Sequence, residues 1–232
     1  MLSLKGRITQ GIMEGILREK SPLSIQGNGF YSVAEAMLAY PNMFNERWEV
    51  MDRMAKEGEF DELEIKYLTT PFSLSNYYYA FHLVDAIRKE QEGRELRLLD
   101  VGCAYGLFVA FMRDLGFDAQ GMDRAFVAIK MGDVLGIGGL RVGDMRNLES
   151  LYHEKFDVIT CIGVLNNHDP DGNFARLIRN SAKLLCERGV LIFSVLEIRG
   201  KEEEILLKSG FDPIVKNWRG CTALQLKSVG DG

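Results

Sequence analysis

No C-x-x-C pair occurs among the four cysteines of this 232-residue chain, which leaves it without a disulfide frame or a zinc site. Cys103, Cys161, Cys186 and Cys221 stand singly and read as reduced, mostly buried thiols of an intracellular protein. No apolar run approaches the length of a membrane span. Nor does a signal peptide open the chain, because Lys5, Arg7, Glu14 and Arg18 interrupt the stretch from Met1 to Lys20. A cytoplasmic protein without a membrane partner is the expectation. Basic excess is missing too: residues 1–93 hold 10 Lys/Arg against 14 Asp/Glu, and residues 94–232 hold 18 against 19. A nucleic-acid partner is therefore not expected. No repeat or low-complexity tract appears.

What remains is an ordinary globular composition, 47% hydrophobic and 26% charged. Its organisation changes near residue 94. Before it, helices alternate with breakers. Ile8, Ile12, Ile16 and Leu17 fall at helical spacing ahead of Ser21-Pro22. Ser32 is placed to cap a short helix ending at Tyr40, before Pro41. Phe44, Trp48, Met51 and Met54 mark an amphipathic helix over Met43–Lys56, Asp61–Leu68 offers a short one, and Asn76–Gln91 a longer one. From Arg94 onward, strands alternate with helices. The strands are expected at Leu96–Asp100, Phe117–Asp123, Leu140–Met145, Phe156–Val164, Gly189–Val195, Phe211–Trp218 and Cys221–Ser228. Helices are expected after the first strand, at Asn173–Leu185 and at Glu202–Ser209. Such alternation predicts a parallel sheet covered by helices, with ligands bound outside the carboxyl ends of the strands.

The most informative stretch is Leu96 to Gly106. A short apolar run ends in Asp100. Gly102, Ala104 and Gly106 follow, and then Leu107, Phe108, Ala110, Phe111 and Leu115 at helical spacing. Small residues between strand and helix let a ligand approach the backbone, and the helix N-terminus offers N–H groups to polar atoms. The spacing does not fit the dinucleotide fingerprint G-x-G-x-x-G, which speaks against a nicotinamide dehydrogenase.

Asp100-Val-Gly-Cys-Ala-Tyr-Gly106 resembles motif I of the class I S-adenosylmethionine-dependent methyltransferases, D-x-G-x-G-x-G, with Ala104 in place of the middle glycine. With alanine there, the backbone is expected to avoid positive φ. The resemblance extends over residues 94–228, since acids follow the second and third strands in the family's order. It implies a Rossmann-like, seven-stranded, mostly parallel α/β sheet with an antiparallel C-terminal strand. Residues 1–93 would be a helical N-terminal cap on a core of residues 94–232.

The resemblance also implies site residues. Asp123 would accept from the ribose hydroxyls, or else be a turn acid before Arg124. Asp144 would accept from the adenine amino group, with the Met145 N–H facing the ring, or cap a helix from Asn147; the two roles can coexist. Gly102, Ala104 and Gly106 would pass close to the methionine part, with Asp100 ordering the loop and Cys103, Arg124 and Ile162 completing the cofactor contacts. The family's V-L-E-H segment is here Val164-Leu-Asn-Asn-His-Asp-Pro170. His168 is the expected general base and Asn166 an acceptor contact, and a solvated loop histidine is the alternative. Asn167, Asp169 and Asp171 suit Mg²⁺ but read better as an ordinary turn, so no metal is assigned. Tyr77 is expected to touch the substrate, or to pack where its helix meets the sheet. Tyr105 would close over the cofactor or lie exposed.

The implied function is methyl transfer from S-adenosylmethionine to an O or N atom of a small-molecule acceptor, with S-adenosylhomocysteine as product. The N/D-P-P-Y/F signature of nucleic-acid amine methylation is absent. A non-catalytic S-adenosylmethionine-binding subunit and an RNA methyltransferase remain as alternatives. Oligomeric state is left open.

Overall fold

The computed structural model describes residues 40–61, 64, 74–91, 94–165, 172–194, 198, 200–218 and 220–227. The helices expected before Tyr40, and most of the one expected over 61–68, lie outside the described residues. A 3₁₀ turn at Tyr40–Phe44 leads into α1 (Asn45–Lys56), and α2 spans Leu74–Glu90. Then come β1 (Arg97–Val101), α3 (Leu107–Asp114), β2 (Asp118–Asp123), α4 (Phe126–Leu135) and β3 (Leu140–Val142). A 3₁₀ turn (Met145–Asn147) and α5 (Leu148–Leu151) precede β4 (Phe156–Cys161) and α6 (Asn173–Leu184). The chain closes with β5 (Leu185–Ser194), α7 (Lys201–Leu207), β6 (Phe211–Trp218) and β7 (Cys221–Leu226).

The seven strands form one sheet in the order β3-β2-β1-β4-β5-β7-β6. Strands β1 to β5 pair in parallel, and β7 runs antiparallel to both β5 and β6. This is the expected fold class. Side chains alternate across it as the strand period requires. Leu98, Val158, Val190 and Ile192 pack under α1, α2, α3 and α4, and Leu99, Val101, Ile159 and Leu191 pack against the opposite layer of α5, α6 and α7. The same parity sends Asp100, Asp123 and Thr160 toward the α1–α4 face, although all three are polar and buried. The candidate site residues Asp100 and Asp123 lie on that face, at the carboxyl ends of β1 and β2.

Four elements differ from expectation for a local reason. The helix of Met43–Lys56 starts at Asn45, after the 3₁₀ turn in which the Trp48 indole donates to the Pro41 carbonyl at 2.8 Å. Strand β3 stops at Val142, because the Asp144 carboxylate accepts from the Arg146 N–H and starts a turn. Strand β5 begins at Leu185 instead of Gly189: Phe156 pairs with Leu185 but Val158 with Val190, and Arg188 takes φ 60° in the bulge between. Helix α4 carries no clear amphipathic stripe, since Val127, Ala128, Ile129, Met131, Gly132 and Leu135 are all buried. A helix buried most of the way round shows little periodicity.

Gly132 sets how closely α4 approaches the turn after β1. A Cβ there would stand 2.8 Å from the Tyr105 carbonyl oxygen and 2.3 Å from a Leu140 methyl group. Leu140 can rotate but the carbonyl cannot, so Gly132→Ala should destabilise the fold by about 1–3 kcal/mol. A lowered denaturant midpoint with unchanged slope checks this. Gly116→Ala, where nothing lies within 4 Å of the added carbon but φ is +89°, separates backbone strain from crowding.

Candidate functional site

Three residues of the turn between β1 and α3 take left-handed backbone conformations: Gly102 at φ 83°, Ala104 at φ 50° and Gly106 at φ 83°. The expectation that Ala104 avoids positive φ is therefore wrong. Left-handed alanine costs roughly 1–2 kcal/mol. Its N–H, however, donates to the Asp123 carboxylate at 2.9 Å, and a hydrogen bond to a charged group contributes about 1.5–3 kcal/mol. The bond is sufficient to hold the strain. The turn is further tied to β2 because the Gly102 and Cys103 N–H groups both donate to the Met122 carbonyl, at 2.7 and 3.0 Å. At Gly102 a Cβ would meet a Val164 methyl at 2.2 Å, so this glycine is needed for space as well as for φ. No side chain caps the N-terminus of α3.

Asp123 ends β2 and is 6% exposed. Its Oδ2 accepts from Ala104 and its Oδ1 from the Ala125 N–H at 2.8 Å. Each oxygen keeps a second lone pair. Arg124 beside it is exposed. Asp144 sits after β3 as the cap of the 3₁₀ turn. It is clamped by Arg146, whose backbone N–H and Nε reach Oδ1 at 2.8 and 2.9 Å and whose guanidinium reaches Oδ2 at 2.6 Å. That clamp holds its carboxyl below the usual carboxylate range. Asp144 therefore caps the 3₁₀ turn that begins at Met145 and not a helix from Asn147, since the helix that starts at Leu148 has no side-chain cap. Met145 is half-buried, its carbonyl accepting from Asn180 Nδ2 at 2.8 Å.

Two expected cofactor contacts turn inward. The Cys103 thiol is buried against Gly121 and burial pushes its pKa up, and the Ile162 side chain is fully buried in the core. Both can offer a ligand only backbone. Tyr77 is another correction. It is 1% exposed, stacks on Phe108 with ring centroids 4.2 Å apart, and donates its hydroxyl to Asp100 at 2.9 Å. It packs in the core and is not presented to a substrate. Tyr105 is also buried, edge-on to Trp48 at 6.4 Å. His168 and Asn166, with Asn167, Asp169 and Asp171, lie outside the described residues.

Asp100 is fully buried beneath the turn. Besides Tyr77, it accepts from the Thr160 hydroxyl at 2.7 Å. Burial raises its pKa to about 7 and the Asp123 charge adds to this, while the hydrogen bonds from Thr160 and Tyr77 oppose it. Thr160 was not singled out from sequence, although its even spacing from Val158 along β4 was a usable signal. Ser194 was missed as well. At the end of β5 its Oγ accepts from the Gly163 N–H at 2.7 Å and ties the mouths of β4 and β5 together.

A glycine-bearing turn after β1 and acids after β2 and β3, set on this strand order, define a Rossmann-like class I methyltransferase fold. Residues 74–221 match the family model described as a methyltransferase domain. The chain belongs to that family. Among curated proteins, it is 32% identical over 111 residues to the ubiquinone biosynthesis O-methyltransferase of Histophilus somni, covering 44% of this chain and 45% of that one. Its counterpart in Actinobacillus pleuropneumoniae serotype 7 is 30% identical over 155 residues, covering 60% and 64%. The match thus spans under two thirds of either relative's length. Among solved structures, an S-adenosylmethionine-bound amino pentose methyltransferase from Micromonospora echinaspora superposes with TM-score 0.53 at 16% identity, over 65% of this chain and 91% of that one. A TehB-like S-adenosylmethionine-dependent methyltransferase from Corynebacterium glutamicum gives 0.51 at 16% identity, over 81% and 100%. Both agree with the fold.

The buried acid makes stability depend on pH. The Asp100 carboxyl ordinarily loses its proton near 3.8, and burial pushes it up to about 7 in the folded chain. Its contribution is fully present below about 4 and is lost as pH rises through about 7. Unfolding midpoints of wild type and Asp100→Asn from pH 4 to 8 should differ by an amount that changes along this interval. A constant difference would contradict it.

Proposed function

We propose that the protein catalyses transfer of a methyl group from S-adenosylmethionine to an oxygen or nitrogen of a small-molecule acceptor, releasing S-adenosylhomocysteine. An oxygen acceptor is favoured, because the curated relatives are O-methyltransferases. The observation that carries this reading is the bond from Ala104 N–H to Asp123 Oδ2, which fastens the glycine-bearing turn to the acid of β2.

The residues fit this donor. Asp123 retains lone pairs for the two ribose hydroxyls while keeping its backbone bonds, and Asp144 and Met145 stand one strand further out for the adenine edge. Arg124 flanks them. Gly102, Ala104 and Gly106 leave room for the amino-acid part, whose carboxylate suits the uncapped N–H groups of α3. Cys103 and Ile162 contribute backbone and packing. When bound, the donor supplies a methyl group already activated on a sulfonium sulfur, so the chain's work is alignment and desolvation. On the acceptor side, the Ser194 hydroxyl accepts from Gly163 and can still donate its proton to an acceptor oxygen. His168 is the base we assign for taking a hydroxyl proton, and Asn166 an acceptor contact. We place the helical cap over residues 1–93 and the donor-binding core over 94–232, with α1 and α2 packed directly on the sheet. No helix among the described residues is long and apolar enough to cross a membrane, and none of the four cysteines is in a disulfide. A cytoplasmic location accords with those thiols.

Calorimetric titration tests the donor site. S-adenosylmethionine and S-adenosylhomocysteine should bind and NADH should not. Asp123→Ala should weaken binding roughly tenfold or more, the loss of a charged hydrogen bond of about 1.5–3 kcal/mol. Binding of NADH alone, or indifference to Asp123, would overturn the reading. Methyl transfer to a panel of phenols, catechols and amines then separates an enzyme from a binding subunit, and salt-sensitive RNA binding would favour an RNA acceptor.

A further inference from the structure

The buried carboxyl under the turn has an unusual set of neighbours. Asp100 is 0% exposed and takes hydrogen bonds from two hydroxyls, Tyr77 on α2 and Thr160 on β4. The titratable groups facing it are Tyr77 from α2, Cys103 from the turn, Asp123 from β2, Cys161 from β4 and Tyr152 after α5. Each is neutral or anionic at neutral pH. No lysine, arginine or histidine among the described residues forms an ion pair with it. A buried carboxylate normally has a cation or several N–H donors. Here two hydroxyls do the whole of that work, and a second carboxylate opposes it.

One of the two hydroxyls is delivered from outside the strand-and-turn unit. Tyr77 lies on α2, twenty residues or more ahead of the turn, and its ring is held by stacking on Phe108 of α3. The tyrosine is thus wedged between the helix that begins at the turn and the carboxyl beneath it. Losing its hydroxyl would leave the ring packing intact but leave Asp100 with Thr160 alone.

We infer that Tyr77 is a positioning residue of the donor site, which acts through Asp100 by holding it ionised and so makes the affinity for the cationic donor depend on α2 and on pH. This rests on the reading that S-adenosylmethionine is the ligand. Both S-adenosylmethionine and its product carry an ammonium group, and a cation entering a site with no cation of its own favours the charged form of the acid behind the turn. Binding below neutral pH then releases a proton from Asp100 to solvent. The Tyr77 hydroxyl favours the same form, so helix and ligand act in the same direction. Burial, which pushes the carboxyl up to about 7, places the transition in the neutral range.

S-adenosylhomocysteine titrated calorimetrically into wild type, Tyr77→Phe and Thr160→Val between pH 5.5 and 8.5 tests this. Melting curves of the three ligand-free proteins confirm that each is folded. For wild type, affinity should rise with pH through a midpoint near neutrality, and buffers of different ionisation enthalpy should show proton release below it. Tyr77→Phe should move the midpoint upward. For a shift of about one unit, affinity falls roughly tenfold at pH 6 and converges with wild type by pH 8.5. Thr160→Val should move it the same way. A Tyr77→Phe effect of equal size at every pH, or none, would overturn the inference while leaving the donor site standing. Failure of the wild type to bind at any pH would overturn the donor reading and this inference together.

Discussion

One hydrogen bond, from the Ala104 N–H to the Asp123 carboxylate, joins the two structural facts on which the site depends. On one side it holds a non-glycine residue in the left-handed conformation that the turn requires. On the other it fixes the carboxylate at the end of β2 in one orientation, with the Ala125 N–H as the second anchor. The turn and the acid are therefore one rigid object, held on neighbouring parallel strands that register Asp100 against Gly121. The glycine at position 121 matters to that object, since a Cβ there would meet the Cys103 sulfur and a Val109 methyl, each at 2.8 Å. A site assembled this way is preorganised by backbone, and it needs few side chains of its own.

Polarity is placed under the turn with equal economy. Sheet parity points Asp100, Asp123 and Thr160 to the face covered by α1–α4, among the apolar side chains of Leu98, Val158 and Ile192. Tyr77 supplies the remaining donor from α2. Helices ahead of the first strand thus do more than cover the sheet. One of them, α2, delivers a hydroxyl to the carboxyl beneath the turn, and the family match begins at the first residue of that helix.

Much of this architecture was legible in the residues. The alternation from Arg94 onward predicts seven strands, and Asp123 is the last residue of β2 while Asp144 lies just beyond β3. Other features depend on tertiary contacts that no local pattern carries. Ala104 adopts positive φ because a carboxylate 19 residues away accepts its N–H. Tyr77 turns inward to stack on Phe108 and donate to the second oxygen of Asp100, contacts that periodicity on α2 cannot reveal. Helix α4 escaped notice because it is buried nearly all round, and the bulge before Val190 extended β5 backwards to Leu185. The loop with Asn166 and His168 carries the sequence-based expectation for acceptor chemistry, and it lies outside the described residues.

The central claim is that the Ala104–Asp123 unit is the seat of the donor. A crystal structure of the protein grown with S-adenosylhomocysteine tests it most directly. The account predicts ribose hydroxyls on Asp123, the adenine beside Asp144 and Met145, and the Ala104 N–H still bonded to Oδ2. A ligand bound away from the carboxyl ends of β1 and β2, or a turn that abandons Asp123 to receive it, would contradict the account.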